Sequence, residues 1–143
     1  MDIQIKPAEL YRDNVIALLT TENLPTSDLG IMLNNFFVAV NNGEVIGVAG
    51  LETYGAYGLL RSVTTARAWR GQGIASQLLS KIEALAADTG LKAIYLFTES
   101  SRDYFETKGY EHIARMDIPE EVKGSSEFAH VCPESATAMQ KSL

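Results

Sequence analysis

Ile3 and Ile5 alternate with polar neighbours ahead of Pro7, the two-residue period of a short strand with one buried face. Over residues 8–19 the spacing changes: Leu10, Val15, Ala17, Leu18 and Leu19 predict a helix, which Asn23-Leu24-Pro25-Thr26 breaks. Residues 36–40 and 45–51 are β-rich runs joined by Asn41-Asn42-Gly43-Glu44. That is a hairpin signal, because Asn-Gly accepts the left-handed backbone a tight turn needs. A further branched run at 59–65 predicts another strand. Ile74, Leu78, Ile82 and Leu85, flanked by Ala75, Leu79 and Ala86, trace an amphipathic helix ending near Gly90. Residues 93–98 read as an apolar strand, 101–108 as a short helix closed by Gly109, and 110–116 as a returning strand. Residues 119–128 predict helical turn, and the last strand falls within 135–141. No repeat, low-complexity block or linker divides the chain, so residues 1–143 read as one α/β domain.

Charge changes the picture at one place. The chain is acidic, with 18 Asp+Glu against 12 Lys+Arg and a net charge of -6. Between Thr53 and Ile82 there is no acid, yet Arg61, Arg67, Arg70 and Lys81 all lie inside that window. An even spread would put roughly four acids in thirty residues. At the centre stands Arg70-Gly71-Gln72-Gly73-Ile74-Ala75, immediately before the strongest helical pattern. Gly71 and Gly73 permit positive φ, and the exposed N–H groups of a helix start attract anions, phosphate above all. The helix dipole adds about 0.3–1 kcal/mol. There is no Gly-Lys-Ser/Thr ending, so this is no Walker A loop, and two glycines do not make the dinucleotide fingerprint. The bland alternative, a helix entry with glycine turns, leaves the acid-free window unexplained.

The remaining composition narrows the classes. A net charge of -6 argues against a nucleic-acid partner. No apolar run approaches the ~20 residues that cross a bilayer, and the first residues lack a signal-peptide pattern, so a cytoplasmic protein without a membrane partner is expected. Cys132 is the one cysteine and His112 and His130 the two histidines, so no internal disulfide and no metal centre are expected.

The Arg70-to-Ala75 segment resembles the Arg/Gln-x-x-Gly-x-Gly/Ala pyrophosphate loop of the GNAT family of N-acetyltransferases. Arg61-Ser62-Val63-Thr64-Thr65 resembles that family's fourth strand, and Phe105-Glu106-Thr107-Lys108-Gly109-Tyr110 its Tyr-Glu-Lys-x-Gly-Phe helix end. The element order follows the family from Ile3 to about Lys141. The resemblance implies a GNAT-like mixed, twisted central sheet with splayed strands four and five and flanking helices, with acetyl-coenzyme A in the gap. It implies that Arg70 opens the loop and that the amides of Gly71, Gln72, Gly73, Ile74 and Ala75 hold the pyrophosphate. Val63 and Thr65 would bond the pantetheine arm as though it were an added strand. The Val63 amide would also serve catalysis by polarising the thioester carbonyl.

The implied reaction is direct attack of an amine on the thioester. An alkylammonium with a pKa near ~10 must lose a proton, and a thiolate near ~8.5 gains one. The family's acid position is Phe105 here, which has no proton to give, and Tyr104 lies about 100° around a helix from it. Thr98 stands where the family carries an asparagine at the mouth of strand five, and the resemblance implies that its hydroxyl would keep one hydrogen bond to the cofactor arm. Glu52 is the candidate base through a relayed water; the alternative is a solvated strand-end residue. Arg61, in an apolar strand, needs an acidic partner, either an acid group of the substrate or Glu52 as scaffolding. Tyr54 and Tyr57, in Tyr54-Gly55-Ala56-Tyr57-Gly58, face the acceptor side, to close on a small substrate, donate a proton or simply pack. Arg67 and Trp69 border the loop, where Arg67 is either a phosphate ligand or a solvated arginine, and Arg102 is a candidate for the adenosine phosphate. Cys132 reads as a packed small residue more than a reactive thiol, and His130 as a surface residue or a proton relay near the C-terminal strands.

Gly-Leu-Glu-x-Tyr-Gly at 50–55, Leu60-Arg61-Ser62 and Glu127-Phe128-Ala129-x-Val131-Cys132-Pro133-x-Ser135-Ala136 resemble a GNAT subgroup encoded with bacterial arsenic-resistance systems. In that subgroup phenylalanine is common at the tyrosine position. The resemblance implies acetylation of a small amine, such as an amine-bearing toxicant or organoarsenical amino acid. Two other readings stand beside it: an acetyl-CoA-binding sensor with little catalysis, and a protein or peptide acetylase. A homodimer paired through C-terminal strands is a further expectation.

Overall fold

Asn42 and Gly43, both at positive φ (51° and 80°), form the two-residue turn that sets the first hairpin. Two left-handed residues in succession match the twist of antiparallel strands, which is why Asn-Gly serves there. The computed structural model describes residues 3–24, 26, 33–123 and 136–143. Strand β1 (Ile3–Pro7) is followed by a 3-10 turn, Glu9–Tyr11, and helix α1 (Arg12–Thr21). Then come β2 (Phe36–Asn41), β3 (Glu44–Tyr54), β4 (Tyr57–Thr65) and helix α2 (Ile74–Asp88). Strand β5 (Ala93–Thr98), α3 (Arg102–Thr107), β6 (Glu111–His112), α4 (Glu120–Lys123) and β7 (Thr137–Ser142) complete it. The strands join in the order β1-β2-β3-β4-β5-β7-β6, a mixed sheet with helices between its strands.

Two compact units share this chain, Met1–Leu51 with Arg61–Leu85, and Glu52–Leu60 with Ala86–Leu143. In the first, β1 and β3 both pair antiparallel to β2, with a register shift at Ala39/Val40. Its buried cluster joins Val15 and Leu19 of α1 to Phe36, Val38 and Val48 of the hairpin. In the second, β4 runs parallel to β5 over three pairs, Tyr57↔Ala93 to Leu59↔Tyr95, whereas β5 pairs with β7 along its whole length. The parallel ladder is thus short, and Ser62, at φ 59°, interrupts the regular conformation of β4 beyond it. Leu59, Tyr95, Ile118, Val122 and Ala138 form the second buried cluster.

All three longer helices end alike. Leu24 N–H returns to Leu19 O and Asn23 N–H to Thr20 O, with Asn23 left-handed at φ 59°. The same pair of bonds recurs at Leu91→Ala86 with Gly90→Ala87, and at Tyr110→Phe105 with Gly109→Glu106. These are Schellman motifs, in which a left-handed residue lets the chain turn back and cover the last carbonyls.

Several boundaries differ from the sequence reading for local reasons. Leu10 lies in the 3-10 turn before α1 and is 94% exposed, so it is no part of the helical stripe. The strand expected over 110–116 is two residues long, because Arg115–Asp117 closes into a 3-10 turn. Strand β3 extends to Tyr54 and β4 starts at Tyr57, which shrinks the expected turn to Gly55-Ala56.

Helix α2 approaches β3 so closely that a Cβ on Gly47 would lie 2.9 Å from Ile74 Cγ2 and 3.3 Å from Thr64 O. Gly47→Ala is therefore expected to cost about 1–3 kcal/mol of stability through overpacking, read as a lower urea midpoint at unchanged slope.

Candidate active site

The segment leaving β4 is built from short bonds onto the sheet. Ala66 N–H donates to Ile46 O at 2.8 Å, and a 3-10 turn, Arg67–Trp69, is closed by Trp69 N–H on Ala66 O at 2.8 Å. Arg70 is extended (φ -68°, ψ 153°), and Gly71 and Gly73 both adopt φ 79°, which side-chain-bearing residues rarely accept. The first bond of α2 runs from Gln77 N–H to Gly73 O at 3.1 Å. The N–H groups of Ile74 and Ala75 therefore precede the helical ladder. A Cβ placed on Gly71 or Gly73 would meet nothing within 4 Å, so open space lies beside both glycines. Ile74 and Leu78 are buried and anchor the helix beneath its exposed loop. A glycine turn with open space beside it, at the positive end of a 15-residue helix, suits an anion with several oxygens.

The arginines are arranged differently from the expectation of plain phosphate ligands. Arg70 donates from Nε to Thr65 O at 3.2 Å and from Nη2 to Glu22 Oε1. Arg67 Nε lies 3.5 Å from Glu22 Oε2. The Glu22 side chain is 7% exposed, against 53% for Arg70 and 75% for Arg67. Sequence reasoning missed Glu22; its signal was an acid closing a helix at the end where the dipole disfavours one. On β4 itself, Arg61 is buried and donates from Nε to Ser62 Oγ at 3.1 Å. Thr65 is buried and Val63 half-buried beside the left-handed Ser62.

The second unit carries the candidate acid–base groups. Tyr54 donates its hydroxyl proton to Glu52 Oε1 at 2.9 Å, so two expected site residues are brought together. Glu52 lies within β3 and is half-buried, not a freely solvated strand end. Tyr57 meets Tyr95 edge-on, with ring centroids 5.8 Å apart. Burial raises the Tyr95 pKa, and Tyr57 and Glu121 push the same way, so its phenol remains a proton donor. Neither Tyr95 nor Glu121 stood out in the sequence, where Tyr95 reads as one more apolar-strand residue.

Other expected residues have structural duties. Thr98 Oγ1 accepts from Ser101 N–H at 3.0 Å where α3 begins, which leaves its own proton able to donate. Phe105 is buried between Tyr104 and Tyr110, with ring centroids 5.3 and 5.6 Å away, and packs at the closing Schellman turn. Arg102 pairs with Glu106 at 2.8 Å along α3. His130 and Cys132 lie outside the described residues.

The sequence profile of the acetyltransferase (GNAT) family matches residues 9–110. The chain belongs to that family. An amino-acid acetyltransferase from Ralstonia nicotianae is 32% identical over 89 residues, which is 61% of this chain and 20% of that protein. An uncharacterised N-acetyltransferase from Chlorobaculum tepidum is 29% identical over 91 residues, 63% of this chain and 58% of the relative. The chain thus spans less than two thirds of either relative. Among solved structures, Rv2747 of Mycobacterium tuberculosis, in complex with CoA and NLQ, gives a TM-score of 0.80 at 22% identity, covering 98% of this chain and 99% of that one. N-acetylglutamate synthase from Neisseria gonorrhoeae, complexed with coenzyme A and N-acetyl-glutamate, gives 0.83 at 16% identity, covering 100% of this chain and 35% of that one. These structural likenesses establish the fold.

Because the Tyr95 pKa is raised in the folded state, its contribution is intact below the unfolded phenol value near ~10 and is lost as pH rises through the folded value. Thermal unfolding between pH 9 and about pH 11 should fall more steeply for the unaltered chain than for Tyr95→Phe.

Proposed function

We propose that this chain transfers the acetyl group of acetyl-coenzyme A to the amine of a small acceptor. The observation that carries the reading is the pair of left-handed glycines, Gly71 and Gly73, opening α2 inside the acid-free stretch of the sequence. When bound, the thioester supplies an electrophilic carbon and a thiolate leaving group. The chain's own contribution begins with the amides of Gly71 to Ala75 and Arg70, which receive the diphosphate. Val63 and Thr65, past the end of the β4–β5 ladder, offer main-chain groups to an extended pantetheine arm, and Thr98 adds a hydroxyl. The Val63 N–H serves as the donor to the developing oxyanion.

Glu52 takes the ammonium proton, directly or through water, while Tyr54 orients its carboxylate. Tyr57, at the start of β4, is the candidate to close on the acceptor, and Arg61 the candidate for its acid group. The names of the amino-acid acetyltransferase and the N-acetylglutamate synthase support an amino-acid acceptor. An organoarsenical amino acid or another amine-bearing toxicant is the finer reading that the subgroup resemblance supports. The absence of a proton on Phe105 favours one competing reading, a protein that binds acetyl-CoA and transfers little.

The test is a thiol-release assay with acetyl-CoA against amino acids, aminophosphonates, arsenicals and polyamines. Free thiol should appear only when a particular amine is supplied. A folded sample that gives no heat and no thermal protection with coenzyme A would end this reading, and tight binding without transfer to any amine would favour the sensor. Glu52→Gln should lower kcat by about 10²–10⁴-fold; unaltered turnover at every pH would remove Glu52 as base. Gly73→Val forces a β-branched residue towards φ 79° and is expected to weaken coenzyme A binding in calorimetry while the circular dichroism spectrum is kept.

A further inference from the structure

We propose that Glu22 is a positioning residue for the diphosphate loop. Its carboxylate holds Arg67 and Arg70 so that the amides from Gly71 onward are presented in one arrangement. This rests on the reading of acetyl-CoA as acyl donor.

An acid at the C-terminal cap of α1 is misplaced by the rules of isolated helices, since it faces the negative end of the dipole. It would also repel a phosphate bound nearby. Yet its side chain is almost fully enclosed and lies against two guanidinium groups. Its position is fixed on both sides in sequence. Glu22 N–H bonds Leu18 O at 3.2 Å, and the Schellman turn at Asn23 returns Leu24 to Leu19 and to the buried cluster of the first unit.

From that fixed point a chain of contacts leads to the loop. Glu22 grips Arg70, and Arg70 Nε reaches back to Thr65 O, so the residue just before Gly71 is held by two groups from outside the turn. The turn needs such help: two glycines in succession around Gln72 lose more backbone freedom on ordering than any other residues would. The opposing effect is repulsion between carboxylate and diphosphate. The two guanidinium groups beside the carboxylate offset it locally. Positioning therefore outweighs repulsion. In Glu22→Gln the shape is kept, but an amide N–H₂ replaces an oxygen facing a guanidinium, and one of the two arginines loses its acceptor.

The experiment compares two acyl donors, acetyl-CoA and acetyl-pantetheine, which share the thioester and pantetheine arm while only the first carries phosphates. With acetyl-CoA, Glu22→Gln should raise KM about 10-fold, with kcat within about twofold, the loss of roughly one charge-assisted hydrogen bond. With acetyl-pantetheine its rates should equal those of the unaltered chain, and Glu22→Asp should recover part of the acetyl-CoA affinity. An equal loss with both donors would make Glu22 a merely structural residue and overturn the proposal. An unchanged or lowered KM for acetyl-CoA would overturn it too, since repulsion would then be the larger effect. If the unaltered chain uses neither donor and ignores coenzyme A in a titration, the functional reading falls and takes this inference with it.

Discussion

The contact of Ile74 with the bare backbone of Gly47 is the constraint on which the rest depends. A helix start can serve as an anion site only if it stays where the sheet puts it, and the hydrophobic stripe of α2 alone leaves that position free to slide. The missing side chain at Gly47 lets the first turn of α2 come down onto β3 and β4, with Ile74 and Leu78 as the contacting groups. Ile74 is at once the first residue of the helix and, under the proposed function, one of the donors to the diphosphate. Burial of its side chain thereby fixes the direction of its N–H, and packing energy becomes preorganisation of the loop.

The same economy appears at the helix ends. Asn23, Gly90 and Gly109 each let the chain turn back on the helix it has just left. The first delivers Glu22 to the arginines; the third brings Tyr110 onto Phe105 at 5.6 Å. In both cases a local conformational choice decides a contact between side chains. This is how a short chain holds a loop of exposed glycines without spending a large core on it.

Much of the fold was legible because its signals are local. Asn42-Gly43 announced its hairpin, and the Ile74, Leu78, Ile82 stripe announced α2, since turn chemistry and helical period are both carried by neighbouring residues. The glycine turn into α2 was legible for the same reason: two glycines, a following helix and a gap in the acids all stand within thirty or so residues. What could not be read is long-range. The Glu22–Arg70 pair joins positions 48 apart in sequence, and nothing in either segment names the other. The left-handed Ser62 lies in a run that reads as uninterrupted strand. Leu10 misled because apolar type was taken for burial, whereas a 3-10 turn rotates it outward.

Phe105 puts the acid chemistry in a different light once its surroundings are known. Its ring is 6% exposed and meets two tyrosines edge-on, so the position is occupied by packing demand. Whether transfer needs an acid there depends on which group leaves more readily. A thiolate with an intrinsic pKa near ~8.5 departs more easily than an amine whose conjugate acid is near ~10. Collapse towards amide is therefore favoured once the nitrogen has lost its proton, and the demanding step is the deprotonation assigned to Glu52. Under that ordering a chain can forgo a dedicated acid and still turn over, while it cannot forgo the base. Under the proposed mechanism that burden falls on the Tyr54–Glu52 pair, whose hydroxyl bond at 2.9 Å orients the carboxylate.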